Sequence, residues 1–210
     1  MIKTTAILIS ELKGYVNPKA KIGRMVEKGE LFPIIRGIYE DDPKTPTVCL
    51  AGSIYGPSYV SFEYALSYYG LIMKKDCPVT CAAYGKRKEK LYETMFGTFT
   101  YRDIPKNAYP TELVLHVENG YSFIMASPEK ALCDTLYNSA PASNLKELNE
   151  LLFDEIGIGK RKIFRLDPAV IFSIADLYGC RNLHLLKSFL VLKCHGWYAI
   201  NRTKKYSMKM

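Results

Sequence analysis

The chain has 210 residues, of which 48% are hydrophobic and 12% aromatic, enough to bury a core and to exclude disorder as its main state. Its net charge of +8, with a pI near 9.1, suits a polyanionic partner. No apolar run reaches the length of a membrane span, and Glu11 and Lys13 interrupt the short apolar start without a cleavage site. A cytoplasmic protein with no membrane partner is expected.

Residues 1–42 read as a small helix-turn-helix with a wing. Leu8, Leu12 and Tyr15 share one face of a first helix ending near Gly14. Asn17-Pro18 opens a second helix, with Asn17 as cap and Pro18 at the first helical position, and Gly29 stops it. Ile22, Met25 and Val26 form its apolar stripe. The rest of its surface carries Lys19, Lys21, Arg24 and Lys28. Leu31 to Tyr39 follows as two short strands about an Arg36-Gly37 turn. A basic helix beside a basic hairpin tip suits a reader of the DNA major groove, although a charged helix face is more often simply solvated. Glu40 to Thr47, polar and with two prolines, is the expected boundary before a second unit over 46–210.

Val48 to Tyr55 predicts a short helix, and residues 58–70 a tyrosine-rich one with Ser61 as cap and Gly70 as stop. A small, mainly antiparallel sheet is expected over 77–126. Within it, Asn119-Gly120 marks a two-residue hairpin, and Lys86, Arg87 and Lys88 form a secondary basic patch. Ser127-Pro128-Glu129 then predicts a sharply capped helix over 127–138, in which Lys130 and Asp134, one turn apart, pair as surface charges. Further helices are expected over 144–153 and 168–195, before a basic tail from Arg202 to Lys209. The class is α+β.

The cysteines at 49, 77, 81, 133, 180 and 194 lie in or beside apolar sequence, as reduced thiols do, and show no zinc-ligand spacing. Cys194-His195 are adjacent in sequence and read as packing residues. Gly157-Ile158-Gly159-Lys160 lacks the spacing of a phosphate loop, and His116, His184 and His195 fall on apolar elements. Glu129, Lys130 and Asp134 are the one set with catalytic residue types. No metal, cofactor or enzymatic activity is expected.

Four stretches in order carry a family likeness: Ile35-Arg36-Gly37-Ile38-Tyr39; Pro57-Ser58-Tyr59-Val60-Ser61 with Ala65-Leu66 and Tyr69-Gly70-Leu71-Ile72; Phe96 to Tyr101; and Ser127 to Leu132 with Asp134. Across residues 15–137 the set resembles the AbiEi antitoxins of type IV toxin–antitoxin (abortive infection) systems. The resemblance implies a bacterial transcriptional regulator with an N-terminal winged helix-turn-helix and a C-terminal antitoxin domain. Such a protein binds repeats in its own promoter, represses its operon and counteracts a nucleotidyltransferase toxin encoded beside it. Lys19, Lys21, Arg24 and Lys28 would then be the helix contacts to DNA and Arg36 the wing contact. The alternative is a protein-interaction module that no longer reads DNA, because the N-terminus is short by about one helix.

Overall fold

The computed structural model describes residues 1–73 and 77–192. A first unit contains β1 (Lys3–Thr4), α1 (Thr5–Glu11), α2 (Pro18–Glu27), β2 (Phe32–Ile35) and β3 (Ile38–Glu40). Its strands form an antiparallel sheet of order β1-β3-β2. Asn17 caps α2 as expected, its Oδ1 accepting from the Ala20 amide at 3.0 Å, and Gly29 ends the helix with φ +69°. The first helix is shorter than its apolar spacing suggests, stopping at Glu11, and Tyr15 lies exposed beyond it. β1 has no counterpart in the sequence pattern, since two residues cannot show a period. It is fixed by pairing Lys3 with Tyr39 and Thr4 with Ile38.

Leu8, Ile22 and Leu31 make a small core of their own under α1 and α2. Ile34 instead joins the main core, with Ile2, Ile35 and Ile38 packed against it, so the small sheet is gripped by the second unit. The polar boundary is tied down too. Glu40 is buried and accepts a hydrogen bond from the Tyr121 hydroxyl at 3.0 Å, and that hydroxyl accepts from Thr45 Oγ1 at 3.1 Å.

The second unit opens with a 3-10 turn (Thr47–Leu50) and α3 (Ala51–Ile54). It then places β4 (Tyr59–Val60), α4 (Phe62–Tyr68), β5 (Val79–Ala83), β6 (Lys90–Thr94), β7 (Gly97–Asp103), β8 (Leu113–Glu118) and β9 (Tyr121–Ala126). Helices α5 (Pro128–Asn138), α6 (Leu145–Glu150), α7 (Pro168–Ala175) and α8 (181–192) complete it. The class is therefore α+β.

Two expectations are corrected. The sheet, of order β6-β7-β5-β4-β9-β8, is mixed: β5 runs parallel to β7, and β4 parallel to β9. All five residues of β5 are buried, as in a central strand covered on both faces, so β5 lacks the alternation that marks a strand with one wet face. Residues 58–70 are not one helix. Tyr59 and Val60, aromatic and β-branched, enter the sheet as β4, and the helix begins only after an extended Ser61.

The expected helices at 144–153 and 168–195 correspond to α6 with the wide turn that follows it, and to α7 and α8 as far as residue 192. Cys194, His195 and the basic tail lie outside the described residues. Cys49, Cys81, Cys133 and Cys180 are free thiols. No helix among the described residues is long and apolar enough to cross a membrane.

Because the small core is separate from the large one, Leu8→Ala is expected to act locally. The substitution should cost about 2–5 kcal/mol. Amide hydrogen exchange should show reduced protection across α1 and α2, with β5 and β7 unchanged.

Candidate functional site

Ser127 caps α5, its Oγ accepting from the Lys130 amide at 3.1 Å, and Pro128 occupies the first turn as read from the sequence. Glu129 reaches across to the next capped helix, where its Oε1 accepts from the Asp167 amide at 2.9 Å. Asp167 in turn caps α7, accepting from the Ala169 amide at 2.8 Å.

Lys130 and Asp134 are not surface charges. Both are 0% exposed, because α5 is a central helix, buried continuously from Lys130 to Leu136. Lys130 Nζ donates to Asp134 Oδ1 at 3.0 Å, to the Ala108 carbonyl at 2.8 Å and to the Tyr178 hydroxyl at 2.5 Å. Those contacts use all three ammonium protons. Asp134 Oδ1 also accepts from the Tyr178 hydroxyl at 2.6 Å, while Oδ2 accepts from the Tyr59 hydroxyl at 2.9 Å and Ser61 Oγ at 2.7 Å. The ammonium lies 4.7 Å from the Tyr178 ring centre and 5.6 Å from that of Tyr59, close enough for cation–π attraction. Ser61, expected as a helix cap, makes no side-chain cap bond and gives its hydroxyl to Asp134 instead.

Burial pushes the Lys130 amine below its ordinary value, with Asp134 opposing the shift. The Tyr59 and Tyr178 hydroxyls are driven far above theirs, first by burial and then by the Asp134 charge. The donors of Lys130 and the lone pairs of Asp134 are all engaged within the protein. The arrangement holds a charge pair in place and presents neither partner to a substrate.

The basic residues stand at the surface. Lys19, Arg24 and Lys28 of α2 are exposed. Lys21 is half-buried, with its ammonium 5.4 Å from the Tyr15 ring centre. Arg36 is exposed in the β2–β3 turn. That turn is anchored at Gly37, whose carbonyl accepts from the Thr5 amide at 2.9 Å and Thr5 Oγ1 at 3.2 Å. Arg36 thus sits beside the start of α1, while the other four lie along α2. Among the described residues none of the five is held in an ion pair.

The secondary basic patch has an internal duty. The Lys86 and Arg87 amides donate to Asp103 Oδ2 at 2.7 and 2.6 Å, and Arg87 adopts φ +58° to allow it. Lys86 Nζ turns back to the Gly56 carbonyl at 3.3 Å and lies over the Tyr55 ring, which leaves Arg87 and Lys88 as the exposed cations.

Asp103 and Tyr178 had no signal in the sequence, and Tyr59 entered only within a stretch of family likeness. Each acts on a group far along the chain. His116, read only as a residue on an apolar element, stacks on Phe123 and meets the hydroxyls of Tyr68 and Tyr69 at 3.5 and 3.3 Å.

Asp134→Ala removes the counter-charge and strands a buried ammonium, so it should cost about 3–5 kcal/mol in urea unfolding. Tyr178→Phe deletes bonds to two charged groups and should cost about 1.5–3 kcal/mol. The alkaline limb of stability has a defined sign. Cys49 is held up at about 11 and Cys133 is raised further, both by burial, against an ordinary 9.0. Tyr59 and Tyr178 are raised from 10.0. Their contributions are complete below those ordinary values and disappear above them, where the unfolded chain releases protons that the fold retains. Lys130 has the opposite sign, since its depressed amine favours the fold as pH rises toward 10.5. Tyr64, Tyr69, Cys81, Tyr101 and Tyr109 are raised by burial as well, so these groups outweigh Lys130 and the urea midpoint should fall from pH 9 upward, less steeply in Tyr178→Phe. No family model, curated protein or solved structure matches this chain.

Proposed function

We propose that the chain is a DNA-binding repressor of its own promoter and the antitoxin of a type IV toxin–antitoxin system of the AbiEi kind, counteracting a nucleotidyltransferase toxin. The observation that carries this reading is the topology of the first unit. It is a strand, two helices and a hairpin, with β3 returning between β1 and β2, an order that supports a winged helix-turn-helix reading. On this reading α2 is the recognition helix. Its exposed Lys19, Arg24 and Lys28, with Lys21, supply phosphate and base-edge contacts, and Arg36 supplies the wing contact. The sheet face that holds Ile34 packs into the core of the second unit, which gives the hairpin a rigid support.

The antitoxin half rests on the family resemblance, to which the fold adds one support. Two of the stretches that carry the resemblance, Pro57–Ser61 and Ser127–Asp134, meet in the buried cluster through Tyr59, Ser61 and Asp134. Their joint occurrence then has a physical cause, because each needs the other to satisfy its polar groups. The second reading, a protein-interaction module without DNA recognition, draws on the presence of two helices before the hairpin where three are usual.

Gel shifts on the chain's own upstream region should show binding that weakens steeply with salt. Lys21→Ala with Arg24→Ala should lower the slope of log affinity against log salt by about two, one for each phosphate left without its cation. Salt-insensitive binding, or none, would sink the DNA reading. Co-expressing the wild-type chain, and that double variant, with the neighbouring gene separates the two readings when set beside the wild-type gel shift. Growth rescue without promoter binding would favour the interaction module, and failure to rescue under either form would remove the antitoxin half.

A further inference from the structure

β8 is an edge of the six-stranded sheet, and it lacks the devices that usually blunt such an edge. It runs six residues without proline or lysine, in unbroken register with β9. Leu115 and Val117 are 66% and 72% exposed, and Ile124, the partner of Leu115 on β9, is 45% exposed. The opposite edge, β6, opens with Lys90 and carries Glu93, both exposed charges. The charges of β6 stand at its start and within it, whereas the one charge of β8, Glu118, stands at its end and leaves Leu115 and Val117 open. The apolar surface continues from Leu115 and Ile124 into a cavity of about 690 Å³ also lined by Ile2, Cys49 and Val60.

The backbone of β8 is oriented for pairing. Glu118 and Tyr121 flank the two-residue Asn119-Gly120 turn, so theirs is the hydrogen-bonded pair of a tight hairpin. Alternation then turns the N–H and C=O groups of Leu113, Leu115 and Val117 away from β9. In keeping with this, the carbonyl of Glu112 points inward and accepts from the Ser127 amide at 2.8 Å.

We propose that β8 pairs antiparallel with β8 of a second copy of this chain, about a two-fold axis at His116, joining two six-stranded sheets into one. The case for a second copy is the self-complementarity of the strand. A two-fold pairing that keeps each side chain on its own face and overlaps the strand fully must centre on Leu115 or on His116. The Leu115 centre sets Glu112 directly opposite Glu118 twice, which like charges disfavour. The His116 centre sets Leu115 opposite Val117 twice, Glu118 opposite Val114, and Glu112 opposite Gly120. No acid meets an acid, and the two most exposed aliphatic side chains of the edge cover each other beside Ile124. The chain is cationic overall, yet the only charges on and flanking this strand are two glutamates, so docking crowds no cations together. The pairing does not depend on DNA binding.

Two measurements on the full chain test it. Light scattering after gel filtration should give twice the 23.9 kDa chain mass, falling to one chain in Val117→Lys with circular dichroism unchanged. A wild-type monomer at every concentration up to the solubility limit overturns the proposal. The register is tested by mixing Val114→Cys with Glu118→Cys, which face each other in a non-hydrogen-bonded pair, the close spacing that suits a disulfide. Oxidation should link the mixture into dimers while leaving each variant alone and the wild type unlinked. No link in the mixture overturns the proposal even where Val117→Lys fails to fold.

Discussion

The fold depends on one buried carboxylate. Asp134 accepts from Lys130 and from the hydroxyls of Tyr178, Tyr59 and Ser61. These groups come from α5, from the turn ending at Tyr178, from β4 and from the residue that starts α4, and Lys130 adds the Ala108 loop. A charge moved out of water into such a site is costly unless every lone pair finds a donor, and here the donors come from across the second unit. A buried ion pair is weak evidence for net stability, since an apolar replacement of the same shape often serves as well. Its effect is on arrangement: chain paths that leave Asp134 short of a donor carry the full desolvation penalty.

That constraint explains the least expected strand. β4 is two residues long, yet it sits between β5 and β9 in the middle of the sheet. So short a strand contributes few ladder bonds. Its placement is instead fixed by the Tyr59 hydroxyl on Asp134 and by Ser61, whose hydroxyl bonds Asp134 while its amide donates to the Thr80 carbonyl. With β4 fixed, β5 pairs antiparallel on one side and β9 parallel on the other. The mixed sheet is thus a consequence of the buried cluster as much as of strand propensity.

Features whose causes lie within a few residues were legible in the sequence. Asn17 and Ser127 both cap the helices they precede, and Asn119-Gly120 forms the hairpin turn with both residues at positive φ. The basic α2 and Arg36 were legible for the same reason, because exposed charge needs no partner to be read. What failed was everything decided at long range. Lys130 and Asp134 look like a surface pair at helical spacing, and the groups that draw them inside stand 22 to 75 residues away along the chain. Ser61 carries the residue type of a cap, but a buried carboxylate 73 residues away competes successfully for its hydroxyl. The Lys86 loop reads as a cationic patch, and only Asp103 across the fold reveals that its backbone is already holding an anion.

The junction between the units links the basic helix to the apolar edge. Glu40 ends β3 of the first unit, and Thr45 lies in the polar stretch that leads into the second. Both meet the hydroxyl of Tyr121, which opens β9 directly opposite the last residue of β8. The polar stretch between the units therefore acts as a clamp on the β8–β9 hairpin, with the Ile34 face of the small sheet packed behind it. In the proposed dimer, the element that carries the symmetry axis is the one to which each first unit is fastened. The two copies of α2 are then held at a spacing set by packed hydrogen bonds, with no free tether between. A reader of repeated DNA half-sites requires such a fixed spacing. Two features that arise separately, an adhesive edge and a buried Glu40, thus bear on the same geometric problem.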